Sequence, residues 1–162
     1  MRYRAPLGTS AKWVTGGVIV LFVGIVFATP WGGAAVWVLM LALFAFGPSG
    51  YSFENHDLVV HRRAWGPERI SLRGLTGVRM GPDLMRRSIR TFGNGGIFGF
   101  TGWFYNSELG RYRAWVTDPK RTIVLEFGER RIAVSPGRPN LFVDEIRERT
   151  GVEVRREAAG EG

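Results

Sequence analysis

The chain contains no cysteine. Disulfides, thiolate metal sites and cysteine nucleophiles are therefore excluded. Histidine occurs only at His56 and His61, too few for a histidine metal cage. Lysine occurs only at Lys12 and Lys120, so arginine carries nearly all of the positive charge. The acidic residues all lie at Glu54 or later, and between Lys12 and Glu54 there is no Asp, Glu, Lys, Arg or His. The mean hydropathy of −0.02 is thus the average of two unlike regions. The length suits one ordinary domain plus something small.

The charge-free region holds two apolar segments. Trp13 to Thr29 contains ten Leu, Ile, Val or Phe residues, and Trp31 to Phe46 contains seven. At about −0.3 to −0.6 kcal/mol each, insertion into lipid is favoured by roughly 3–6 and 2–4 kcal/mol. Pro30 with Gly32 and Gly33 stops one helix and permits a tight turn. Gly17 and Gly24 fall on one face of the first segment, and Ala35 and Ala42 on one face of the second; small faces let helices approach closely in lipid. The expectation is a transmembrane helical hairpin over 13–46, after a basic N-terminal segment, 1–12. Arg2, Arg4 and Lys12 precede it, and His61, Arg62, Arg63 and Arg69 follow it. The positive-inside rule then gives a multi-pass plasma-membrane protein with its N-terminus and its following domain in the cytoplasm. A cleaved signal peptide would account for the first segment and leave the second unexplained.

A linker, 47–50, leads to a region patterned with period two. Leu58 and Val60, Val78 and Met80, Tyr112 with Ala114 and Val116, Ile123 with Leu125 and Phe127, and Ile132 with Val134 predict short half-buried strands. Asn55-His56-Asp57, Asp118-Pro119-Lys120 and Gly128-Glu129 suit the turns between them. From Pro139 the period becomes helical, with Leu141, Phe142 and Ile146 on one stripe and Gly151 as the stop. A charged tail, 152–162, follows.

About seven antiparallel strands and one C-terminal helix is the order of a pleckstrin-homology (PH) barrel. The runs Arg90–Phe104, Leu109–Asp118 and Ile132–Pro136 resemble the bacterial PH domain family found on small membrane proteins. The resemblance covers Tyr51 to Gly151. It implies a PH-like domain over 51–151 in a membrane setting, and no settled biochemical activity. Arg138 departs from the pattern, because relatives tend to carry an acidic residue before the helix proline. Arginine is a poor N-cap.

One stretch stands out as a candidate partner or lipid surface. Arg86, Arg87 and Arg90 stand just before Phe92, Phe98, Phe100, Trp103 and Phe104. Such a combination either covers the barrel or forms an exposed face that engages a protein or anionic headgroups, each basic residue being worth about 1 kcal/mol at such a surface. The first hairpin turn, Glu54 to Asp57, is acidic on balance and does not support specific phosphoinositide binding. The glycine run Gly93–Gly99 has neither the spacing nor the following helix of a nucleotide-binding loop. No nucleophile, acid–base pair, metal set or cofactor motif points to an enzyme. The formal net charge of +8 is spread along the chain, not gathered in the dense stripe nucleic acid requires. The function expected is a tethered binding or scaffolding module for a protein partner or a second copy of itself, the alternative being an anionic-lipid sensor. An accessory subunit of a membrane enzyme or transporter is a remoter reading, since the apolar segments carry no charge.

Overall fold

A computed structural model describes residues 2–6, 8–28 and 30–157. Eleven strands and three helices are present among them. The first strand is β1 (Arg2–Arg4), followed by helices α1 (Thr9–Ala28) and α2 (Pro30–Phe46). Then come β2 (Pro48–Glu54), β3 (Asp57–Arg62), β4 (Glu68–Ser71), β5 (Gly77–Met80), β6 (Ile89–Gly95), β7 (Phe100–Asn106) and β8 (Gly110–Val116). A short 3₁₀ turn at Pro119–Arg121 precedes β9 (Ile123–Phe127) and β10 (Arg130–Val134). Helix α3 (Pro139–Thr150) and β11 (Val154–Arg156) end the fold.

The strands form two sheets, β1-β2-β3-β4 and β11-β5-β9-β10-β8-β7-β6. Most pairs are antiparallel; β10 with β8 and β11 with β5 are parallel. Between the sheets lies the main core, built from Tyr51, Phe53, Leu58, Val60, Trp115, Ile123, Leu125, Ile132 and Val134. Helix α3 adds Phe142, Val143 and Ile146 to the same core, while Leu141, expected on that stripe, is 48% exposed and Val143 takes its place. Gly151 closes the helix in the left-handed conformation, and its N–H donates to the Arg147 carbonyl. Arg138 stands at the N-cap without a side-chain capping bond.

The large sheet is buried on its second face as well. Leu84, Phe104, Leu109, Tyr112, Ala114, Val116, Val124 and Ala133 form a separate apolar cluster there. Two-sided burial explains why β9 reads as the near-continuous apolar run Ile123-Val124-Leu125. Arg79 on β5 pairs with Glu157 (2.6 Å), with Glu126 and with Glu108. That network and β11 bring residues 154–157, inside the segment read as the tail, against the sheet.

The expected membrane hairpin is corrected. No helix among the described residues is long and apolar enough to cross a membrane. Helix α2 has 17 residues, a rise of about 25 Å against the roughly 30 Å of a hydrocarbon core. Helix α1 reaches 20 residues only by including Thr9, Ser10 and Lys12. The multi-pass plasma-membrane placement, with both ends cytoplasmic, falls with it, because the positive-inside rule orients spanning helices only. Of the residues expected to pack the hairpin, Gly17 has open space where a side chain would be, and Ala42 is exposed. Gly24 and Ala35 lie outside the residues whose side chains are described. The helices instead engage the domain. Gly8 donates to the Thr117 carbonyl at 3.0 Å, Thr15 and Met40 are buried, and Phe44 and Phe46 meet Phe98 and Trp65.

The N-terminal residues are structural. Strand β1 pairs with β2, and Tyr3 enters the main core edge-on to Phe53 and Phe142. Its hydroxyl donates to the Glu145 carboxylate at 2.7 Å. Tyr3→Ala removes a buried ring and should cost about 3–5 kcal/mol, while Tyr3→Phe keeps the ring and should cost about 1 kcal/mol. Denaturant midpoints of the two variants check this. A Tyr3→Ala midpoint equal to that of the parent would show that β1 is not part of the fold.

Candidate functional site

Strand β7 alternates, and the alternation sorts the aromatic stretch. Phe104 is 3% exposed and stacks on Tyr112 in the second core, with Phe100 partly buried beside it. Trp103 and Tyr105 point to the opposite face, as period two requires. In register, Ile89 sits opposite Tyr105 and Phe92 opposite Trp103. Directly opposed residues share a face, so Ile89, Phe92, Trp103 and Tyr105 form one row. A bulge between Arg90 and Phe92 makes this possible. Without the extra residue, positions three apart would point to opposite faces.

The strands approach closely at Gly93 and Gly102. A Cβ on either glycine would lie 2.3 Å from a carbonyl oxygen of the other strand, and both have positive φ (+110° and +130°). Only glycine fits there, which accounts for part of the glycine-rich composition without any ligand. The loop that follows reaches the helices. The Phe98 N–H donates to the Thr15 hydroxyl at 3.0 Å, and its ring meets Phe44 edge-on.

The predicted site residues therefore divide into groups. Phe92 and Trp103 lie on the exposed face. Arg90 is opposite Phe104, on the other face, with its side chain near Gly95. Phe100 and Phe104 belong to the second core, and Phe98 to the helix contact. Arg86 and Arg87 are exposed in the turn before β6. That turn is strapped to the sheet: the Asn106 amide donates to the Leu84 carbonyl and to Ser88, and the Tyr112 hydroxyl donates to Ser88.

Sequence reasoning missed half of the face. Arg111 lies opposite Tyr105 and Arg113 opposite Trp103. The Arg111 guanidinium stands 4.8 Å from the Trp103 ring centre, and that of Arg113 4.9 Å from Trp115. Both are cation–π distances. Alternation of Arg111 and Arg113 with Tyr112 and Ala114 carried this information; what was lacking was the register that sets them beside Trp103. The exposed end of the row is apolar: Phe92 is 76%, Ile89 68% and Tyr105 49% exposed. The other end runs into a cavity of about 200 Å³ between the sheets, walled by Glu68, Trp103, Arg113, Trp115 and Arg130. Arg113 meets Glu68 of β4 across it at 2.9 Å.

His61 is held by Ser52 at 2.8 Å, and burial holds its pKa below the usual histidine range. No group of three or more His, Asp or Glu able to hold a metal occurs among the described residues. The strongest buried polar device is structural. The Tyr51 hydroxyl of β2 donates to the Trp115 carbonyl of β8 and accepts from the Ser135 N–H.

Burial pushes the Tyr51 phenol up to about 12, against the opposing pull of the Ser135 hydrogen bond. Between pH 10 and 12 the folded chain thus keeps a proton that the unfolded chain has lost. Stability is full below pH 10 and falls as pH rises through that window, by roughly 2–3 kcal/mol for this group. Denaturant midpoints from pH 9 to 12 should decline, and Tyr51→Phe should flatten the decline. An equal decline in the Phe variant would assign the effect elsewhere, with Tyr3, also raised to about 12 by burial, next in line.

Comparison with known proteins comes to one match. The family described as "Bacterial PH domain" matches residues 49–150. No curated protein and no solved structure matches the chain. The matched stretch contains all of β2 but its first residue, β3 to β10 and α3, and with them the exposed row on β6 and β7; β1 and β11 lie outside it. By a match over more than half of its length, and by two packed sheets closed with a C-terminal helix, the chain belongs to the bacterial PH domain family.

Proposed function

We propose that this chain is a non-enzymatic binding module whose docking face takes an extended, acidic segment of a protein partner along β6. The observation that carries the reading is the exposure of Ile89 and Phe92 on a strand at the end of the sheet order. An edge strand offers a row of free backbone N–H and C=O groups, and folded proteins usually blunt such edges. Here the edge instead carries large apolar side chains. A strand added to β6 would satisfy the backbone groups and cover the apolar row at once.

Charge selects the occupant. Arg90 lies on the edge strand, and Arg111 and Arg113 flank the row, with Glu68 paired to Arg113. An acidic segment complements that field. Pairing with β6 of a second copy would set arginine near arginine and is disfavoured. An anionic lipid surface could use the arginines but offers no backbone to the edge.

Display selection of random peptides on the full chain tests this. Enrichment of acidic, extended peptides is expected. Phe92→Asp or Ile89→Asp, both at exposed positions, should weaken their binding about tenfold or more. Selected peptides without acidic bias, or equal binding by the variants, would contradict the reading. Sedimentation with anionic vesicles while no peptide is selected would replace it with the lipid alternative.

A further inference from the structure

The N-terminal strand and the start of α3 bring three arginines to one cavity. Arg2, Arg4 and Arg138 line a space of about 380 Å³ together with Tyr3, Pro6 and Gly137, and no acidic residue lines it. Strand β1 turns Tyr3 into the core, so Arg2 and Arg4 share its outward face. The loop before α3 is tied to the same strand. The Gly137 N–H donates to the Arg4 carbonyl at 2.7 Å, and a Cβ on Gly137 would stand 3.1 Å from that oxygen. Arg138, the next residue, is thereby held beside β1.

These charges are uncompensated. Among the described residues no carboxylate pairs with Arg2, Arg4 or Arg138, and no hydrogen bond engages their guanidinium groups. Glu145, which accepts the Tyr3 hydroxyl, is paired with Arg149 at 2.8 Å. Asp118 is paired with Arg121, whose guanidinium donates to the Gly137 carbonyl at 3.2 Å. Arg138 is also the N-cap of α3 and makes no capping bond. A helix N-terminus carries partial positive charge and favours anions. A cation there, beside two others, adds repulsion that no described residue offsets. Guanidinium groups are planar forks of N–H donors whose geometry matches phosphate oxygens.

We infer that this cavity is a phosphate site, in which Arg2, Arg4 and Arg138 balance the charge of a phosphate monoester. Three positive charges with no acid among them suit a dianion better than a single carboxylate. The volume lies within the roughly 300–1,000 Å³ of small-molecule sites, so there is room for part of the group that carries the phosphate. The site is separate from the proposed docking face and does not rest on that reading. Arg2 and Arg4 lie outside the stretch matched by the family, residues 49–150. The site is also separate from the first hairpin turn. Arg149, in the last turn of α3, donates to the Asn55 carbonyl of that turn at 3.0 Å. The 12 residues of α3, about 18 Å, lie between it and Arg138.

The test is equilibrium dialysis of the full chain against radiolabelled inorganic phosphate, at constant ionic strength and above the second phosphate pKa of about 6. Saturable binding is expected, displaced by glycerol 3-phosphate and not by acetate. Arg4→Gln and Arg138→Gln, both at exposed positions, should each weaken it about tenfold. Arg86→Gln, an exposed arginine in the turn before β6, and Phe92→Asp should leave it unchanged. Sedimentation with phosphatidylcholine vesicles names the source of the phosphate. Sedimentation that depends on added phosphatidic acid and on Arg138 assigns a lipid headgroup; displacement by glycerol 3-phosphate without sedimentation assigns a soluble ester. The inference would be overturned by any of four results: no saturable phosphate binding, equal displacement by acetate, binding unaltered in both Arg4→Gln and Arg138→Gln, or a loss as large in Arg86→Gln or Phe92→Asp. Failure here with acidic peptides still selected on β6 would remove this site and leave the docking face; the reverse pattern would do the opposite.

Discussion

The two sheets meet at a buried hydroxyl. Tyr51 reaches from β2 across the core to the Trp115 carbonyl on β8, and Ser135 at the end of β10 donates back to it. Loss of either partner would strand polar groups where water cannot reach them, which makes the arrangement costly to leave. Because the bond is to the backbone of Trp115, it fixes that residue's position along β8. Every opposed pair on β7 and β6 then follows from the register. Trp115 packs in the main core, and Arg113, two residues earlier, lands opposite Trp103.

From that anchor the large sheet continues outward until it outruns the small one. Under the small sheet and α3, its inner face is core: Ile123, Leu125, Ile132 and Val134. Beyond Trp115 the same face has no sheet above it, and its residues become Arg113, Trp103, Tyr105, Phe92 and Ile89. The cavity marks the transition, bridged by the Arg113–Glu68 pair. The exposed row proposed as a docking face is therefore the continuation of the core past the edge of its cover. Its apolar content and its aromatic–arginine stacking have that common origin.

Much of this was legible locally. The strands near Leu58, Ile123 and Ile132 and the helix from Pro139 to its glycine stop depend on patterns within a few residues. The resemblance placed them in a PH-like fold, which the family match bears out, but eleven strands in two sheets with two parallel pairs replace the seven antiparallel strands expected. Nonlocal features were not legible. Nothing near Tyr3 says that it will pair with Tyr51 and enter the core. Val124 and Ala133 looked like the second residues of half-buried strands, yet the Leu84 segment and Phe104 cover them. The aromatic stretch was seen as one feature, while the bulge at Arg90 to Phe92 and the Gly93–Gly102 approach divide it between a core, a helix contact and an open face. The apolar segments have the composition of spanning helices and fall short in length, α2 having 17 residues and α1 reaching 20 only with a polar first turn, so no crossing is made.

The central claim is that β6 is a docking edge, and amide hydrogen exchange of the full chain addresses it directly. With an acidic peptide selected on the protein present, slowed exchange should appear over residues 89–95 and extend to the Trp103 and Arg113 neighbourhood. Protection confined to another edge, such as β1 or β11, with β6 exchanging as in the free protein, would contradict it.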